Sequence, residues 1–167
     1  MQPTPKRLWR HLVTDHWSAR RAFPPRVLKR IEAVIAAGEQ KHTGQLRFVV
    51  EAALPLALVL RRCPPRERAV EMFGRLRIWD TEENCGVLIY LLLADKVVEI
   101  VADRGIHARV GDASWQAICS TMERAFREGR FDDGVVAGVE AISALLTQHF
   151  PRTRAGSNEL PDQPLVL

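Results

Sequence analysis

The sequence predicts an α/β protein: a small mixed parallel and antiparallel sheet sandwiched between helices. Three observations carry this. Residues 87–93 (VLIYLLL) are apolar without alternation, the pattern of a strand covered on both faces. Residues 97–102 (VVEIVA) follow after only the turn Ala94-Asp95-Lys96, so they run back antiparallel beside it. An earlier strand-like run, 46–53 (LRFVVEAA), is joined to 87–93 through a helical segment, which makes that pair parallel.

The remaining elements follow in chain order. Residues 1–23 form a basic arm in which Leu8, Trp9, Leu12, Val13 and Trp17 share one stripe at helical spacing. The expectation is a short amphipathic helix lying on its own domain with the basic side solvated, contact with a membrane surface or partner being the alternative. Pro24-Pro25 end the arm and open a helix over 26–42, in which Val27, Leu28, Ile31, Val34 and Ile35 recur at three and four. Gly44 is expected to close it in a left-handed cap. The stretch 54–65 reads equally as apolar loop or short helix. Residues 66–79 place Ala69, Val70, Phe73 and Leu76 on one helical face, with Trp79 expected in the core. Asp112 is expected to cap a helix carrying Trp115, Ile118, Cys119, Met122 and Phe126. Asp132 or Asp133 is expected to cap another, running to Phe150. The domain proper spans 24–151, and 152–167 form an extended, proline-containing tail.

Composition bounds the function classes. The chain has 167 residues, 47% hydrophobic and 26% charged, which excludes disorder as its main state. Three cysteines without a CxxC pair exclude a disulfide scaffold, and the first residues lack the apolar core of a secretory signal. The expected setting is reducing and cytoplasmic. No apolar run reaches bilayer length, so a membrane surface is admissible but spanning is not. Of the net charge of +4, more than all resides in residues 1–30, where eight basic side chains face the single acid Asp15. Arg7, Arg10, Arg20 and Arg21 are the candidates for anionic-lipid or nucleic-acid contact. The body lacks a basic face with interleaved aromatics, which argues against nucleic acid.

No Walker A loop, GxSxG, HExxH or Cys-x5-Arg loop is present. Cys63, Cys85 and Cys119 sit in or beside apolar segments and read as structural thiols. His11, His16, His42 and His149 lack ligand spacing and are expected at the surface. The main polar constellation is Asp80, Glu82, Glu83 and Asn84 before the central strand, and Asp103, Arg104, His107 and Asp112 after its hairpin partner. Antiparallel pairing brings the two groups to one sheet edge. There, Asp80, Glu83, Asp103 and Asp112 could hold a divalent cation, with Asp80, Asp103 and His107 as candidate catalytic groups for phosphoester hydrolysis. Asn84, Arg104 and Gly105 would form an anion-facing turn, Gly105 taking a positive φ. The plainer reading makes Asp112 a helix cap, Arg104 an ion-pair partner and Glu82-Glu83 solvated charges.

Asn84-Cys85-Gly86-Val87-Leu88-Ile89-Tyr90, then Val98-Glu99-Ile100-Val101-Ala102-Asp103-Arg104-Gly105-Ile106, and the link Phe126-Arg127-Glu128-Gly129-Arg130-Phe131-Asp132-Asp133-Gly134, together resemble the TPM-domain family. That family includes thylakoid-lumen photosystem II repair proteins and bacterial membrane-anchored relatives. This chain looks most like a short cytoplasmic branch. The resemblance spans about residues 27–150 and implies an α/β sandwich. It also implies acid phosphatase activity in some members, binding of a divalent cation (calcium in particular, or magnesium), and a place in membrane-associated stress or repair. Implied partners are a LemA-type or membrane-anchored TPM-domain protein. Departures are Asp103 where the family's turn has glycine, His107 where it has an acid, and Cys85 in its Asn-Asn pair. The expected function is therefore an interaction module, with a metal-assisted acid phosphatase as the alternative and arm-mediated binding of anionic lipid or nucleic acid as the third.

Overall fold

The structure, a computed structural model, describes residues 5–153 and 158–167. Residues 1–4 of the expected arm and 154–157 of the expected tail lie outside the described residues. The elements are α1 (Pro5–Val13), α2 (His16–Ala22), α3 (Pro25–Glu39), β1 (Gln45–Glu51), α4 (Leu56–Leu60), α5 (Pro65–Arg75), β2 (Gly86–Leu92), β3 (Val97–Ala102), α6 (Arg104–Val110), α7 (Asp112–Arg127), α8 (Phe131–His149) and β4 (Leu165–Val166).

The strands lie in the order β3-β2-β1-β4. β1 and β2 are parallel, from Gln45 opposite Gly86 to Glu51 opposite Leu92. β2 and β3 are antiparallel, from Val87 opposite Ala102 to Leu92 opposite Val97. Every residue of β2 is buried, which explains its unbroken apolar run. One sheet face, with Phe48, Val87, Ile89 and Ile100, packs under α3, α7 and α8 through Ile31, Ile35, Phe126, Val139 and Ile142. The other face, with Val49, Leu88, Tyr90 and Val101, packs on α4 and α5 through Val59, Ala69 and Met72. The expected sandwich is thus present.

Several details depart from the sequence reading. The tail supplies a strand: β4 pairs parallel with Val49 and Val50, and Leu167 N–H donates to Val50 O at 2.9 Å. Arg104 and Gly105, expected in a turn, instead open the helix α6. Asp112 stands inside the first turn of α7, whose cap is Gly111, and α8 is entered through Arg130 with Asp132 and Asp133 in its first turn. Carboxylates there still favour the helix, because they face its positive end. Ala19 and Phe23, from the segment expected as an arm, are fully buried in the larger core, where Phe23 meets Phe48 and Phe131.

The free edge of β3 is blocked by side chains. Arg66 donates to Ile100 O at 2.5 Å and Glu123 accepts from Val98 N–H at 3.1 Å, so the edge is closed to a further strand at these groups.

At the far end of β1 lies a buried charge pair. Glu51 accepts from Arg68 through both oxygens, at 3.0 and 2.8 Å, and from the Tyr90 hydroxyl at 2.5 Å. The hydrogen bonds to Glu51 raise the Arg68 guanidinium pKa, and burial together with Glu51 raises that of the Tyr90 phenol. Each member satisfies the others, so removing one strands a buried charge. Arg68→Ala is expected to lower the free energy of unfolding by about 3–5 kcal/mol in urea denaturation. Glu71→Gln, which removes only an exposed partner of Arg68, should change it by less than about 1 kcal/mol.

Candidate functional site

The antiparallel pairing does bring the two polar groups to one corner. Asp103 N–H donates to Gly86 O at 2.9 Å as the last bond of the β2–β3 ladder, leaving residues 80–85 and 103–107 adjacent. The 80–84 loop is ordered by Thr81, whose carbonyl accepts from Asn84 N–H at 3.2 Å and whose hydroxyl accepts from Cys85 N–H at 3.2 Å. Gly105 is where the segments touch: a Cβ there would stand 2.5 Å from Asn84 O. Its backbone is helical, so the expected positive φ is corrected. The glycine is required by close approach. Gly44 is corrected in the same way: its φ is not positive, and a Cβ there would stand 2.4 Å from Leu146 Cδ2. The left-handed residues at the corner are instead Arg77, at φ 54°, and Asn84, at φ 52°.

The candidate residues are near one another but separately engaged. Asp80 pairs with Arg77 at 2.8 Å. Glu83 accepts from the Thr43 hydroxyl at 2.7 Å. Asp112 faces His107 at 3.7 Å on the exposed side of α6. Asp103 caps α6, its Oδ1 accepting from Arg104 N–H at 2.7 Å, while its buried Oδ2 has no partner. Among the described residues no three His, Cys, Asp or Glu side chains are grouped to hold a metal ion. Calcium takes six to eight oxygen ligands and magnesium a full octahedron, so Asp80, Glu83, Asp103 and Asp112 do not fit either as a set. Arg104 and Asn84 are exposed on the same corner.

Other expectations are corrected here. Trp79 is 50% exposed rather than core, and the Arg77 guanidinium lies 5.9 Å from its ring centroid. Sequence periodicity missed it because α5 ends at Arg75, four residues early, so Trp79 no longer belongs to the helical stripe. His42 is buried rather than at the surface, as is His11. Burial raises all three thiols, to about 11 for Cys85 and about 12 for Cys119, which fits unreactive structural thiols.

The corner rests on a polar floor that includes the tail. Gln45 Oε1 accepts from the N–H groups of Glu159 and Leu160, at 2.8 and 2.9 Å, and the Glu159 carboxylate accepts from Glu82 N–H at 3.0 Å. Arg47 donates to Gln163 O at 2.6 Å. Below, Glu39 accepts from Leu46 N–H at 2.9 Å, and His42 Nδ1 lies 3.0 Å from Gly44 O.

The TPM-domain profile matches residues 20–145, three-quarters of the chain. The chain belongs to the TPM-domain family. Among solved structures, the TPM fold here is similar to the BA42 protein of the psychrophilic bacterium Bizionia argentinensis. They share 28% identity over 84% of this chain and 92% of that one, with a TM-score of 0.74. The N-terminal domain of a protein from P. gingivalis shares the fold at 18% identity and a TM-score of 0.58, over 75% of this chain and 79% of that one. No curated protein matches the sequence. Among the described residues, no helix of this TPM domain is long and apolar enough to cross a membrane.

The floor of the corner carries two opposed pH terms. Burial pushes the Glu39 carboxyl from 4.5 up to about 7, while burial draws the His42 imidazole from 6.5 down to about 4. Folded Glu39 holds a proton that the unfolded chain has released, so it costs stability as pH rises from 4.5 through 7. Unfolded His42 takes up a proton that the folded state refuses, so its term improves stability as pH rises from 4 to 6.5. The two offset one another in the protein as it stands. Glu39→Gln should therefore make the urea midpoint climb between pH 4.5 and 6.5, and His42→Gln should make it fall. Each change should be worth about 1–2 kcal/mol across that window.

Proposed function

We propose that this TPM domain is an interaction module that presents the β2–β3 corner to a protein partner. The observation that carries this is Trp79, exposed on a corner that is otherwise tightly determined. An indole in water, ordered beside Arg77 and flanked by the Arg77–Asp80 ion pair, has the composition of a binding hot spot. Left-handed backbone at Arg77 costs free energy in the isolated domain and fixes the chain that carries Trp79. The complementary partner would offer an apolar slot for the indole, ringed by charges that pair with Arg104 and the 80–83 acids. A LemA-type or membrane-anchored TPM-domain protein is the candidate, in a membrane-associated stress or repair setting.

A metal-assisted acid phosphatase has one specific feature in its favour, the unpartnered Oδ2 of buried Asp103. One oxygen is too few for the cation such chemistry needs. On the module reading, calorimetric titration of the full chain with calcium or magnesium shows no saturable heat. Saturable binding lost in Asp103→Asn would restore the hydrolase. For the module itself, affinity for a LemA-type or membrane-anchored TPM-domain protein should fall by roughly tenfold or more in Trp79→Ala. It should also fall in Arg104→Glu, with the unfolding midpoint unchanged in both. Undiminished retention of both variants would count against the corner as the docking surface.

A further inference from the structure

The opposite end of the β2–β3 hairpin carries a surface that the corner does not use. Its organiser is Asp95, in the hairpin turn, with a side chain only 8% exposed. Three side chains of α1 converge on it: Arg7 Nε at 2.9 Å, Arg10 Nη2 at 3.0 Å and His11 Nε2 at 3.2 Å. His11 Nδ1 accepts from the buried Leu54 N–H at 3.1 Å, so Nε2 carries the proton given to Asp95. This clasp corrects the expectation that the basic side of the arm is solvated. It turns Arg7 and His11 inward, while Leu8 packs on the smaller core and the rest of the apolar stripe is left outside. Trp9, Leu12 and Val13, spaced three and four apart, are 66%, 60% and 52% exposed, and Trp17 at the start of α2 is 72% exposed.

Beside this stripe opens a cleft of about 640 Å3 between α2, the start of α3 and the hairpin turn. Its lining includes Arg10, Arg21, Arg26, Lys96 and the Thr14 hydroxyl. The acid in that lining, Asp132, is held by Arg30 at 3.1 Å. Among the described residues, Arg21, Arg26 and Lys96 have no carboxylate within ion-pair distance, and neither do Lys6 and Arg20. The lining thus holds four basic side chains against one acid, and the cleft is cationic.

We propose that α1, α2 and this cleft form a docking surface for an anionic phospholipid membrane. Trp9, Leu12, Val13 and Trp17 enter the interfacial layer, and Arg21, Arg26 and Lys96 receive headgroup phosphates. Charge complementarity and chemistry select this occupant together. Tryptophan prefers the boundary between hydrocarbon and water, where its ring is buried and its N–H stays wet. An apolar face flanked by arginine and lysine is the composition of helices that lie in that boundary. A nucleic acid would use the cations but would gain nothing from solvent-facing Leu12 and Val13.

The test is sedimentation of the full chain with phosphatidylcholine vesicles, with and without phosphatidylglycerol. Retention is expected only on the anionic vesicles, with a blue shift of tryptophan emission. Trp9→Ala/Trp17→Ala and Arg21→Glu/Arg26→Glu, whose side chains are exposed, should each weaken retention by roughly tenfold or more with unchanged unfolding midpoints. Trp79→Ala should bind vesicles like the parent, which separates this surface from the corner. Failure to bind anionic vesicles, equal retention of either double variant, or retention on duplex DNA in place of vesicles would overturn the proposal.

Discussion

The burial of β2 on both faces is the constraint from which the rest of the molecule follows. A strand that exposes no side chain must be flanked by paired strands and covered by helices on either side, and β1, β3, α3, α5, α7 and α8 meet that demand. Its polar flanks are thereby pushed to the two ends. One end is the corner where residues 80–85 meet 103–107. The other is the Asp95 turn. A seven-residue strand separates them by roughly 20 Å. The surfaces are thus held apart by the same apolar run that holds the fold together, and a partner at one leaves the other free.

What could be read from the sequence was what depends on periodicity and pairing. The unbroken run 87–93, the short turn and the amphipathic repeats of α3, α7 and α8 report burial directly, so the sandwich and the corner follow from them. Other features depend on where a hydrogen bond goes, and these were not legible. β4 is a two-residue strand whose place is set by Gln45 and Arg47 gripping the backbone at 159–163, long-range contacts with no local signature. Gly44 and Gly105 announce themselves as glycines, yet sequence cannot distinguish a backbone needing positive φ from a neighbour needing space.

The buried histidines show the same limit from the other side. His11 and His42 lack ligand spacing, and histidine's intermediate tendency to burial gives the sequence no signal for either side. Both are instead drawn inward to serve backbone groups, Leu54 N–H in one case and Gly44 O in the other. A buried main-chain donor or acceptor without a partner costs about 1–3 kcal/mol, enough to recruit a neutral imidazole. The corner acids are dispersed by comparable local demands. Thr43, Arg77 and His107 each claim one, so residues that look convergent in the sequence are divided among separate partners.

The arm reverses the usual order of preference and shows why its exposed face matters. Turning α1 so that Trp9, Leu12 and Val13 faced the body would bury side chains worth about 1.5–3 kcal/mol each. It would also release the nearly buried Asp95 from its three partners and leave the buried Leu54 N–H bare. The largely buried Arg7 and His11 bonds contribute about 1.5–3 kcal/mol apiece and the half-exposed Arg10 pair less than about 1 kcal/mol, so the polar clasp offsets much of the apolar face it displaces. The balance in the isolated chain is therefore close, and nothing in the fold requires two tryptophans at the losing positions. Lysine or glutamine there would leave the clasp intact and remove the apolar surface. The exposed indoles are therefore not dictated by the packing of this fold, which is what the membrane-docking proposal accounts for.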